Sequence, residues 1–87
     1  MTRTASEWRE FWRERGEREL AELMRRDWTP QSDGHTGRIK MLLASDAPPE
    51  ALAAELGRIR RDELGIDADD AADERAAASI AAWFAGA

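Results

Sequence analysis

The sequence predicts an all-α fold: an antiparallel bundle of about four helices with a long N-terminal helix. Three observations lead there. Apolar residues recur at spacings of three and four, as in Trp8–Phe11–Trp12, Leu20–Leu23–Met24 and Leu52–Leu56–Ile59, the period of a helix with one buried face. No stretch alternates apolar and polar residues as a half-buried strand does. Gly and Pro then divide the chain into helix-length pieces.

The first helix is expected from about Ala5 to Arg26. Thr4-Ala5-Ser6-Glu7 reads as a capping box, in which the Thr4 hydroxyl accepts from the Glu7 amide and the Glu7 carboxylate reaches back. Two apolar groups, Trp8–Phe11–Trp12 and Leu20–Leu23–Met24, flank the polar run Arg13-Glu14-Arg15-Gly16-Glu17-Arg18-Glu19. Gly16 costs about 1 kcal/mol against Ala inside a helix, so the helix either continues through it or kinks there. Asp27-Trp28-Thr29-Pro30 ends the segment, because Pro30 lacks an amide hydrogen and holds Thr29 extended. Trp28 is expected to fold back as a lid on the core, followed by a turn-rich loop, Gln31 to His35.

A short second helix is expected over Thr36–Ala44, with Ile39, Leu42 and Leu43 on one face. The third begins at Pro49, a favoured first helical position, with Leu52, Leu56, Ile59 and Leu64 as its stripe. Gly65 followed by Ile66 predicts a Schellman-type stop. The fourth is expected from near Asp67 to about Phe84. Asp69 and Asp70 suit its first turn through the helix dipole, and Ala72, Ala76, Ala77, Ile80, Trp83 and Phe84 face inward. Its alanines allow close approach of a neighbouring helix.

Eighty-seven residues form one domain, which buries about 60–65% of its unfolded surface. There is no cysteine, which excludes disulfides and thiolate metal sites and suits a reducing, cytoplasmic setting. The N-terminus has no apolar signal core, and no run nears the roughly 20 apolar residues of a membrane span. Net charge is −5 and uneven: residues 1–26 hold seven Arg and six Glu, whereas residues 67–87 hold five acids and only Arg75. That polarity argues against a general nucleic-acid binder, which shows a basic face. It fits either a basic partner or simple solubility.

From Leu20 onward the pattern resembles the small bacterial helical proteins of the domain of unknown function 1871 type and related immunity-like proteins. The residues concerned are Leu20-x-x-Leu23, Asp27-Trp28-x-Pro30 and Gly34, then Ile39-x-x-Leu42-Leu43, Leu52-Ala53-x-x-Leu56-x-x-Ile59, Glu63-Leu64-Gly65-Ile66 and Ala76-Ala77-x-x-Ile80. Thr36-Gly37-Arg38 departs from a Tyr-Asp-like pair often found at the second helix. The resemblance implies a four-helix fold and assigns no activity. It also divides the chain into an aromatic, charged N-terminal extension over residues 1–16 and a helical core over residues 17–87.

Candidate chemistry is sparse. His35 is the only histidine, in a loop that offers no partner for base catalysis, and one histidine without cysteine builds no zinc site. Ser32 and Ser45 have no identifiable base. The run Asp67–Glu74 invites a calcium or magnesium reading but lacks the spacing and central Gly of a calcium loop; acids at a helix start explain it better. Gly34–Arg38 resembles a phosphate nest without the Gly-Lys-Ser/Thr ending. Arg58, Arg60 and Arg61 could touch an anion, but Ile59 between them and Glu55, Asp62 and Glu63 around them favour a solvated face with local ion pairs. Trp8, Phe11 and Trp12 are the strongest partner-binding candidates, as an exposed aromatic patch. The competing reading buries them along the alanine-rich fourth segment.

No catalysis, cofactor, metal or membrane partner is expected. The function expected is a protein–protein interaction module, immunity-type or regulatory, which binds a protein partner or itself. The alternatives are a nucleotide or nucleic-acid contact through Arg58, Arg60, Arg61 and the Gly34–Arg38 loop, and a purely structural homodimer.

Overall fold

Four helices of unequal length order the chain in the computed structural model, which describes residues 3–87; Met1 and Thr2 of the polar N-terminal lead lie outside it. Helix α1 opens as Ala5–Phe11, passes through a π turn at Trp12–Gly16 and goes on as Glu17–Asp27. Helix α2 is Gly37–Ala44, α3 is Pro49–Asp62 and α4 is Asp70–Ala85. No strand occurs among the described residues. At about 1.5 Å per residue, α1 runs most of the 39 Å length of the molecule.

The capping box forms as expected: the Thr4 amide donates to Glu7 Oε1 at 3.1 Å, and the Glu7 amide donates to Thr4 Oγ1 at 3.2 Å. The bond from the Thr4 amide, aided by the Thr4 side chain, holds the Glu7 carboxyl below its ordinary pKa. Helix α1 continues through Gly16 by way of the π turn. It widens by one residue per turn, with Phe11, Gly16 and Glu17 all in helical conformation. Gly16 is required by the packing there. A Cβ at this position meets Phe11 Cε2 at 2.7 Å and Trp12 Cε3 at 2.8 Å, and both rings are buried.

Gly16→Ala is therefore expected to destabilise, although Ala is the better helix former. Overpacking two confined rings costs about 1–3 kcal/mol, against a propensity gain of about 1 kcal/mol. Urea denaturation of wild type and variant measures the difference. A variant with a higher midpoint would show that the rings retreat freely.

The C-terminal stops follow the sequence with small shifts. Helix α3 ends at Asp62. Gly65 adopts a left-handed φ of 63°, and the Ile66 amide donates back to the Arg60 carbonyl at 3.1 Å. Helix α4 begins at Asp70 rather than Asp67, because the Asp69 side chain accepts from the Ala72 amide at 3.0 Å and so caps the helix.

One buried cluster joins all four helices: Phe11, Trp12, Leu20, Leu23 and Met24 of α1, Ile39 and Leu43 of α2, Leu52 and Leu56 of α3, and Ala76, Ala77 and Ile80 of α4. Residues 5–16 are thus not an appendage on a separate core, because Phe11 and Trp12 are part of it. The antiparallel run of α4 along α1 shows in its side chains. Phe84 near the end of α4 stacks on Trp8 near the start of α1, at 4.8 Å between ring centroids. Asp73 near the start of α4 accepts a hydrogen bond from Trp28 Nε1, just past the end of α1, at 2.7 Å. None of the described helices is long and apolar enough to cross a membrane.

Candidate functional site: a groove between α3 and α4

The aromatic residues singled out from the sequence come together, but within the fold. Phe11 is 3% and Trp12 is 6% exposed. Trp12 lies nearly parallel to Phe84 at 5.8 Å and edge-on to Trp83 at 6.0 Å. On the outer side, the Arg3 guanidinium covers Trp8 at 5.2 Å and Phe11 at 5.0 Å, and Lys40 Nζ lies 5.4 Å from the Trp12 ring. This cation–π cover closes what an isolated α1 would expose. The exposed-patch reading of Trp8, Phe11 and Trp12 gives way to the intramolecular one: α4 supplies Trp83 and Phe84, and only Trp8 remains partly open. Trp83 Nε1 also donates to Glu19 Oε1 at 3.0 Å, a bond that holds the Glu19 carboxyl below its ordinary pKa.

Each of the three arginines is paired with a carboxylate. Arg58 Nη2 is held between Glu55, at 2.5 Å, and Glu63, at 2.7 Å, and hydrogen bonds to those carboxylates, Glu55 first, raise its pKa further. Arg61 is exposed and pairs with Asp62 at 3.3 Å. Arg60 corrects the expectation of a solvated, helix-local pair. It is buried, and its Nε and Nη2 donate to Asp73 Oδ1 of α4 at 3.0 and 2.8 Å. The Gly34–Arg38 loop also faces carboxylates, with His35 Nδ1 3.3 Å from Glu63 and Arg38 Nε 4.0 Å from Glu55. An anion would meet acids at both places.

Asp73 is the residue whose role the acidic run concealed. Asp69 caps α4 and Asp70 lies in its first turn, as helix-start acids should. Asp73, one turn further, points inward and is 3% exposed. Its Oδ1 accepts all three donors, two from Arg60 and one from Trp28, and the Arg60 guanidinium also lies 5.6 Å from the Trp28 ring centroid. The node ties the end of α1 to α3 and α4. Asp73 Oδ2 accepts no hydrogen bond among the described residues and lies where a Cβ on Gly57 would come within 3.3 Å.

Asp73 and Gly57 both line a groove of about 650 Å³ between α3 and α4, with Oδ2 on the Gly57 side of the carboxylate. Half-buried Ala53 and Gly57 form its floor with Asp73. Its rim is exposed and mostly acidic: Glu50 from α3, Asp70 and Glu74 from α4, with Arg61 as the one cation among the described lining residues. The groove exists because α3 presents Pro49, Ala53, Gly57 and Arg61 at a spacing of four, so small side chains share a helix face. A sequence signal for it was present. Gly inside a helix is unfavourable, and Gly57 one turn past Ala53 marks a close approach or an opening. No family model, curated protein or solved structure matches this chain.

Proposed function

We propose that this chain is a small, non-enzymatic protein–protein interaction module, immunity-type or regulatory, and that a segment of its partner lies in the α3–α4 groove. The observation that carries this reading is the groove itself. Its volume falls within the roughly 300–1,000 Å³ of ligand-binding clefts, and its floor of Ala and Gly lets a docked side chain or backbone approach the helices closely. The aromatic end offers less, because its rings are used in the core. A nucleotide or nucleic-acid contact has weaker support, since Arg58 and Arg60 are each committed to carboxylates.

A photo-crosslinking residue in place of Ala54, an exposed position on the groove, tests the proposal against the same residue in place of exposed Arg18 on α1. The groove position is expected to crosslink a protein in source cells that the α1 position does not. With that protein purified, Ala54→Trp, which fills the groove, is expected to weaken binding by at least about tenfold, or 1.4 kcal/mol. Equal crosslinking from both positions, or unchanged binding by Ala54→Trp, overturns the assignment.

A further inference from the structure

The groove's electrostatics define its occupant. We infer that the α3–α4 groove receives a basic segment of a protein partner, one arginine or lysine of which reaches past Gly57 to Asp73 Oδ2. The inference rests on the reading of the groove as a protein-docking site and adds the chemistry of what docks.

Three observations support it. The first is charge. Three exposed lining acids, Glu50, Asp70 and Glu74, stand against one base, Arg61; the fourth acid, Asp73, already pairs with Arg60, and Arg61 with Asp62 outside the groove. Glu50, Asp70 and Glu74 take part in no ion pair among the described residues. The second is Asp73. Its carboxylate is almost wholly buried, yet one oxygen is saturated by Trp28 and Arg60 while the other has no donor among the described residues and lies beside Gly57, a lining residue of the groove. A buried carboxylate oxygen is a strong acceptor in a region of reduced dielectric, and a charged donor makes the shorter, stronger hydrogen bond there. The third is shape. Ala53 and Gly57 leave room for an alkyl stem, so a long basic side chain can lay its methylenes on the floor and place its head on the carboxylate. An acidic or phosphorylated segment meets repulsion from both helices.

The probe is a helical peptide with arginines along one face of an alanine–leucine background, compared with its glutamate counterpart by fluorescence anisotropy. The arginine peptide is expected to bind and the glutamate peptide not. Binding should weaken as salt rises, because the rim acids are exposed and screened. Glu50→Lys with Glu74→Lys is expected to weaken binding by at least about tenfold. Glu10→Lys with Glu14→Lys on α1 makes the same change in net charge away from the groove and is expected to leave most of it. In NMR spectra the peptide should move the Gly57 amide and the Trp28 indole N–H, which donates to the other oxygen of Asp73. Circular dichroism and melting of both double variants exclude unfolding as the cause. Equal loss in both variants means attraction to net charge alone and overturns the inference. So does an unmoved Trp28 indole, a glutamate peptide that binds as well, or spermidine that binds as tightly as the peptide. A crosslinked partner whose docking segment is uncharged or acidic overturns this inference while the docking function stands; an Ala54→Trp variant that still binds its partner removes the docking function itself.

Discussion

Asp73→Ala is expected to destabilise the fold by about 3–5 kcal/mol, the cost of stranding a buried charge whose partner has been removed. Arg60 stays in place with two donors unsatisfied, and Trp28 loses the acceptor of its indole N–H. A domain of this size has only about 4–13 kcal/mol in total, so the variant should be partly unfolded near physiological temperature. The control is the double variant Asp73→Ala with Arg60→Met. It removes both charges and keeps an apolar stem beside Trp28, so it should recover most of the loss, because a buried ion pair contributes little beyond an apolar replacement of similar volume. Urea titrations of wild type, single and double variants measure all three. A single-variant cost under about 1 kcal/mol would mean that water reaches Arg60 freely and that the node does not tie the helices together.

The second large effect is expected at the other end of the molecule. Trp12→Ala should cost about 3–5 kcal/mol, the range for a buried aromatic cut back to a methyl. Its ring contacts Phe11, Trp83 and Phe84, and the contact between α1 and the end of α4 depends on it. Thermal melting followed by circular dichroism measures the loss, and sedimentation of the wild type reports its association state. A stably folded Trp12→Ala chain, together with a wild type that self-associates through Trp12, would return this ring to an interface between copies.

These two sites differ in how far the sequence discloses them. The aromatic spacing at Trp8, Phe11 and Trp12 and the Trp83-Phe84 pair are both visible as helix faces. Whether they meet depends on α4 running antiparallel along α1, a relation between residues more than seventy positions apart that local periodicity does not encode. At the π turn, the glycine that looks like a weak point in a helix is the space that the Phe11 and Trp12 rings need. The candidate groove was legible only in fragments. Gly57 and Ala53 announce a small face on α3, and the acids after Gly65 announce an acidic helix start. Nothing in the order of residues separates Asp73 from its acidic neighbours except its register one turn into the helix.

By itself, the sequence determined the all-α class, the four helices, the capping box at Thr4, the stop at Gly65 and the inward stripes, because each depends on residues within a turn or two of one another. The tertiary structure alone decided that Phe11 and Trp12 are core, that Arg60 turns inward to Asp73, and that an acid-rimmed groove opens between α3 and α4. Those outcomes depend on which helix faces meet. Burial and the pairing of charges are settled by the neighbour across the interface, and chain order does not name that neighbour.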